Sequence, residues 1–306
     1  MKIRVLGSAA GGGFPQWNCN CRNCAGVRHG TLRAHPRTQS SIAVRGVDPN
    51  AWALVNASPD ILAQLKANPD LQPARSARDT AFEGIVLVDG QIDHTTGLFM
   101  LRESVRPLRI WCTEQAHADL TRGNPIFGVL AHYCGVDRRE ITPNGGAFAV
   151  EGVADVSWRA LAVASKPAPY SPHREAPVAG DNVALVISDA GSGRACVYAP
   201  GLGSMEEALW RAMCEAACVL VDGTFWRDDE MIALGMSKKR ARDIGHLAQS
   251  GAGGMLEWLQ KLPAGTRRIL IHVNNTNPIL DEDSPERAQL RQLGIEVAHD
   301  GLEIEL

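Results

Sequence analysis

Short apolar runs recur from one end of the chain to the other, and their order is what most restricts the fold. Lys2–Leu6, Ser41–Val44 and Trp52–Asn56 alternate or run apolar as strands do. Gly84–Val88 and Leu108–Cys112 are short runs of the kind found in buried strands. Val156–Ala164, Val183–Ser188, Ala195–Tyr198, Val219–Val221 and Arg268–Val273 repeat the theme in the second half. Several strands precede the first long helical pattern, and strand–helix alternation resumes in each half. A parallel doubly wound sheet would alternate from the start. The order therefore points to two packed sheets with helices outside them.

Helical spacing marks fewer segments. Asn56-Ala-Ser-Pro-Asp60 reads as a turn into a helix over Ile61–Lys66, with Ser58 as N-cap and Pro59 at the first helical position. Further helices are predicted over His94–Glu103 and Met205–Glu215. Two stretches are rich in loop residues, Asn68–Ala77 and Lys166–Gly180. The second carries four prolines and is long enough to be a lid or a substrate loop. Neither has the character of a linker between domains, and no internal repeat is visible. Residues 1–306 are expected to form a single domain with a cysteine-rich turn at 19–24.

Hydrophobic residues make up 45% of the chain, enough for a substantial core without disulfides. The net charge of −3 gives no global basic field for nucleic acid or anionic lipid. The N-terminal apolar stretch is interrupted by Arg4 and by glycines from Gly7 onward, so it does not read as a signal segment. No stretch approaches the ~18 apolar residues of a membrane span. A cytoplasmic protein is expected, with its cysteines mostly reduced. Cys112, Cys134, Cys196, Cys214 and Cys218 stand singly among apolar neighbours and read as small core residues.

Cys19-Asn-Cys-Arg-Asn-Cys24 is a different case. Zinc favours thiolates in closed tetrahedral sites, and close spacing wraps one backbone turn around the ion. Three thiolates supply three of four ligands, and no general base is nearby, so a structural zinc is expected. Spacing alone does not name the fourth ligand.

Asp89-Gly-Gln-Ile-Asp-His94 comes directly after an apolar strand. Such a turn presents several oxygen- and nitrogen-bearing groups to one spot, where they can converge on a cation. An aspartate N-cap beside a histidine at a helix start is the alternative reading.

At this turn the sequence resembles the metallo-β-lactamase superfamily, which carries a His-x-His-x-Asp-His motif between strand and helix. Asp93 and His94 match the second half of that motif, whereas Asp89 and Gln91 stand where it has histidines. The resemblance implies a four-layer αββα sandwich. It also implies that the first site of the two-metal hydrolases is lost or weakened, Gln91 being a poor neutral ligand. Asp89 remains a possible ligand. The bridging aspartate expected near Tyr198-Ala-Pro-Gly201 is missing. The run Arg268–His272 is similar to the closing strand of ribonuclease Z and related phosphodiesterases, which implies His272 as third ligand. In those enzymes a histidine three residues further on completes a cysteine zinc site. Asn275 holds that place in this chain and becomes the candidate fourth ligand. His246 is a candidate for proton transfer or ligand support, or a plain helix-start histidine, and Asp222 a candidate site residue at a strand end.

Over its whole length the chain resembles the coenzyme pyrroloquinoline quinone (PQQ) synthesis protein B family. The start Val5-Leu-Gly-Ser-Ala-Ala-Gly-Gly-Gly-Phe-Pro-Gln-Trp-Asn-Cys-Asn-Cys21 matches its signature. So do Asp93-His-Thr-Thr-Gly-Leu98, Val221-Asp-Gly-Thr-Phe-Trp226 and His272-Val-Asn-Asn-Thr-Asn-Pro-Ile-Leu280. Gly245-His-Leu-Ala248 departs from the family's Gly-His-Met-Pro but keeps His246.

The resemblance implies a step in making the quinone cofactor from a peptide-derived glutamate–tyrosine unit, with other proteins of that pathway as partners. The family is described as an iron-dependent hydroxylase of the tyrosine ring, and in an older description as an aid to cofactor export. One carboxylate and two imidazoles, Asp93, His94 and His272, suit iron(II) with open positions for dioxygen and substrate. The same ligands also suit a zinc that activates water. An iron hydroxylase, a metal-dependent hydrolase and a cofactor-binding carrier are thus the competing expectations. Direct transport is disfavoured, because no span exists. A substrate with carboxylates calls for cationic or amide anchors, for which Gly11–Gly13 (as an anion nest) and Lys166–Gly180 are candidates. His173 in the second segment reads as a solvated loop histidine or a substrate contact.

Overall fold

The structure, a computed structural model, describes residues 1–306. Thirteen strands form two sheets. The first contains β1 (Lys2–Gly7), β2 (Ser41–Arg45), β3 (Trp52–Val55), β4 (Phe82–Val86), β5 (Leu108–Cys112), β6 (Val136–Glu140) and, from the end of the chain, β13 (Glu303–Glu305). Its order is β13-β1-β2-β3-β4-β5-β6, antiparallel from β13 to β3 and parallel from there on. The second sheet contains β7 (Val156–Ala162), β8 (Val183–Asp189), β9 (Ala195–Ala199), β10 (Cys218–Asp222), β11 (Arg267–Ile271) and β12 (Ile295–Val297). It runs β12-β11-β10-β9-β8-β7, with β9 to β12 mutually parallel.

Side-chain alternation along each strand divides the apolar residues between two faces. Ile3, Val5, Ile42, Val44, Ala53 and Val55 meet Leu185, Ile187, Tyr198, Leu220, Ile269 and Ile271 in the core between the sheets. Their neighbours point the other way. Ala43, Leu54 and Ile85 pack outward against Ile61, Leu98 and Ile126. Val197, Val219 and Leu270 pack outward against Leu209, Leu259 and Leu290. Three stacked apolar layers make the αββα sandwich of the metallo-β-lactamase fold. No helix is long and apolar enough to cross a membrane.

Local structure departs from the sequence expectations at three places. The helix Ile61–Ala67 is preceded by Asp60 at the N-cap position, and Ser58 Oγ instead accepts the amide of Asp60 in a turn before it. The helix expected over His94–Glu103 is a single turn, Ile92–Thr95, continued by a 3-10 segment, Thr96–Leu101. Gly97 explains the change: its amide donates to the carbonyl of Ala57, and a Cβ there would collide with the carbonyl of Ser58. That contact tightens the backbone. The helix Arg22–His29, which begins inside the cysteine cluster, has no counterpart among the expected elements.

Candidate functional site

The parallel strands end on one side of the sandwich, and the candidate site is built from the segments that leave those ends, as in open α/β sheets generally. After β4 the chain turns through Asp89 and the one-turn helix that carries Asp93 and His94. β10 ends on Asp222, and β11 delivers His272. His272 has φ 61°, a left-handed backbone that costs a non-glycine residue about 1–3 kcal/mol and persists only where surroundings fix it. Thr224 is part of what fixes it, lying 2.9 Å from His272 Nδ1 and donating to the His272 carbonyl at 3.0 Å.

Asp93, His94 and His272 bring one ligand atom each to within 4.8 Å of one another. Asp93 Oδ2 lies 3.2 Å from His272 Nε2 and 3.9 Å from His94 Nε2. Gly11 packs against this group, since a Cβ at that position would sit 3.3 Å from Asp93 Oδ2. His94 Nε2 is buried and has no hydrogen-bond partner. An orphaned imidazole nitrogen is costly in a folded protein, and a cation held jointly with Asp93 and His272 would satisfy it. The donor set fits a divalent metal.

Asp89 plays a different part from the ligand role considered for it. Both of its oxygens face His94 Nδ1, at 2.8 and 2.9 Å. It therefore orients the ring from behind and leaves Nε2 free for a metal. Burial opposes a charge on His94, but Asp89 and Asp93 outweigh it and raise its pKa to about 9. Burial likewise disfavours ionised Asp93, yet the neighbouring charge of His94 and the hydrogen bond from His272 hold its carboxyl well below the usual range.

Asp222 and His246 form a second pair, His246 lining the same cavity and Asp222 lying behind it. Asp222 is fully buried, accepts the amides of Leu202 and Thr224, and lies 2.7 Å from His246 Nδ1. Burial works against charge on both, but each draws the other toward the ionised form. The His246 and His272 rings stack at 5.5 Å, and Thr224 Oγ1 touches both. Thr224 escapes sequence reasoning because a threonine after a strand has no distinctive pattern.

The cavity around these groups has a volume of about 280 Å³ and also receives Lys166, Arg174 and Phe225. The glycine nest expected at Gly11–Gly13 is largely spent. Gly12 donates to Gln39 Oε1 and Gly13 to the carbonyl of Ala10. His173 is turned to Asp181 at 2.8 Å and does not line the cavity. A wider groove of about 740 Å³ lies beside Leu62, Met100, Val105 and Arg106, away from every cluster of metal-ligating side chains.

The three cysteines converge separately. Cys19, Cys21 and Cys24 place their sulfurs within 4.8 Å of one another at the start of the helix Arg22–His29, with Cys21 as its N-cap. Backbone amides of Gln16, Cys21 and Cys24 point at the sulfurs. Asn275 closes the fourth side, its amide 3.0 Å from Cys19 Sγ and 3.4 Å from Cys24 Sγ. A flip of that amide, which leaves its shape unchanged, turns Oδ1 toward the sulfurs. Burial pushes the Cys21 thiol up to about 11, and a bound metal would draw off its proton.

A profile described as the β-lactamase superfamily domain matches residues 51–273. The chain is 62% identical to coenzyme PQQ synthesis protein B of Azoarcus sp. (strain BH72), over 100% of both chains. Its structure is similar to that of zinc-bound PqqB from Methylobacterium extorquens, with a TM-score of 0.91 and 37% identity over 100% of both. A diphosphatase of the PhnP family shares the fold, with a TM-score of 0.68 and 16% identity over 100% of this chain and 97% of the other. Sequence and architecture agree: this chain belongs to the coenzyme PQQ synthesis protein B family of the β-lactamase superfamily.

Proposed function

We propose that this protein acts in the cytoplasm in the making of coenzyme PQQ, hydroxylating the tyrosine ring of a peptide-derived glutamate–tyrosine precursor with iron(II) and dioxygen. One observation carries the reading: a single carboxylate and two imidazoles, Asp93, His94 and His272, face one point in a cavity, with the buried His94 Nε2 left without a partner. A centre of two histidines and one carboxylate on iron(II) leaves positions for dioxygen and substrate, and supplies the oxidising chemistry. Placing one oxygen atom in a ring C–H bond and releasing the other as water takes two electrons and two protons from an external reductant.

The protein's own groups prepare that reaction. Asp89 fixes the ring and tautomer of His94, and Thr224 does the same for His272. Phe225 offers an apolar wall for an aromatic ring. His246, its Nδ1 held by Asp222, keeps Nε2 free to take or return a phenolic proton. The cysteine cluster with Asn275 holds a structural zinc outside the reaction, and residues 1–306 work as one domain. Other proteins of the pathway supply the peptide-derived substrate.

A hydrolase is the second reading, because Asp222, His246 and His272 also bring ligand atoms within 4.8 Å. Against it, Asp222 and His246 already satisfy each other, and Gly201 brings no carboxylate to the cavity wall. Protein loaded with iron(II) without oxygen, then given a tyrosine-containing dipeptide, a reductant and oxygen, should consume oxygen and yield a ring-hydroxylated product. Hydrolysis by the zinc form with no oxygen uptake by the iron form would overturn the reading.

A further inference from the structure

Lys166 and Arg174 are the only lysine and arginine lining the cavity that holds Asp93, His94 and His272. Neither forms an ion pair with a carboxylate of the protein; Arg174 Nη1 donates to the carbonyl of Pro167, and the rest of its fork is free. Both sit on a stretch tied down from several sides. Gln91 Nε2 donates to the Lys166 carbonyl at 3.1 Å, and Ser165 Oγ to the Gly245 carbonyl at 2.7 Å. Tyr170 Oη donates to the carbonyl of Gly90. Two of these ties reach the turn Asp89–Gln91 and join the metal-binding turn to the cationic loop. A preset guanidinium loses little freedom on binding, and its planar fork matches a carboxylate.

Charge balance inside the cavity points the same way. The carboxylates around the cavity already face partners: Asp89 faces His94, Asp93 faces His272 and the proposed metal, and Asp222 faces His246. The charges of Lys166 and Arg174 then remain without a counterpart. An aromatic substrate alone would leave them so. Resting on the hydroxylase proposal, we infer that Lys166 and Arg174 form a two-point carboxylate clamp, which selects an acidic, amino-acid-derived substrate and sets its ring against Phe225 and the metal site.

The clamp is tested on the zinc-loaded protein, without oxygen or reductant, by calorimetric titration with glutamyl-tyrosine, its dimethyl ester and inorganic phosphate. Arg174→Met and Lys166→Met should each weaken glutamyl-tyrosine binding about ten-fold, as expected for loss of a hydrogen bond between charged groups. Arg174→Lys should recover part of the loss, which a folding defect would not allow. The dimethyl ester should bind weakly and equally to all variants. Unchanged glutamyl-tyrosine affinity in both Met variants, or tighter binding of phosphate than of the dipeptide, would overturn the clamp. Oxygen uptake by the wild-type iron form is measured beside it. Charge-dependent binding without oxygen uptake would keep the clamp and sink the hydroxylase; oxygen uptake with charge-independent binding would do the reverse.

Discussion

Asp89 holds the imidazole of His94 with both carboxylate oxygens, 2.8 and 2.9 Å from Nδ1. This relationship decides which nitrogen of His94 is available, and it changes what the residue is for. A carboxylate turned to the back of a ligand makes that ligand more basic and fixes its direction. Asp89→Asn removes the charge and one acceptor while keeping the shape. Iron or zinc affinity at the cavity site should fall about 10- to 100-fold, measured by competition with a chromophoric chelator. Unchanged affinity would show that Asp89 does not tune His94.

Removing a proposed ligand should separate the two metal centres. His94→Ala is expected to abolish turnover and lower metal content by one ion per chain, with the circular dichroism spectrum unchanged. Cys21→Ser should instead lower the melting temperature by several degrees, because a structural ion contributes directly to folding. A Cys21→Ser protein with unchanged melting and lost turnover would reverse the assignment of the two sites.

The tie between Gln91 and the Lys166 carbonyl gives a prediction about mobility. Gln91→Ala removes one part-buried hydrogen bond, worth about 1 kcal/mol. Amide hydrogen exchange over residues 166–174 should quicken about five-fold, and KM should rise more than kcat falls. Tyr170→Phe, which loses the bond to Gly90, should act in the same direction.

Glu303 lies on β13 and joins the two ends of the chain. Lys2 Nζ is 2.8 Å from its Oε2 and Arg4 Nε donates to Oε1 at 3.0 Å. Those partners, Lys2 first, hold its carboxyl below the ordinary value of 4.5. A lowered pKa stabilises the folded chain above that ordinary value, and the contribution disappears as pH falls through the folded value. Glu303→Gln should therefore lower the melting temperature slightly at pH 7, the carboxylate itself being exposed, and make no difference near pH 2. A gap that widened on acidification would refute this.

Much of the sandwich is legible in the sequence because buried strands leave a strong imprint. Leu108–Cys112 can be read to the residue, and β8 to β11 to within two residues at each end. Strands that lack that imprint escape. β6 reads Val-Asp-Arg-Arg-Glu because it lies at a sheet edge with polar side chains, and β12 and β13 are three residues each. The helix Arg22–His29 carries no apolar stripe, so nothing in its spacing announces it.

Within the site, Asp93, His94 and His272 are legible through the resemblance and the strand ends, and the structure brings them together. Thr224, and the pairing of Asp89 with His94, are not. Both depend on which way a side chain turns after a strand, which sequence spacing does not fix. The choice of Lys166 and Arg174 from a fifteen-residue loop also needs the packing of that loop against Gly90 and Gln91.

His272 and Asn275 share one short segment, and the left-handed turn at His272 starts it. One end reaches the cavity and the other the cysteine sulfurs. An ion on the thiols would therefore brace, from its far end, the same peptide that aims an imidazole into the cavity.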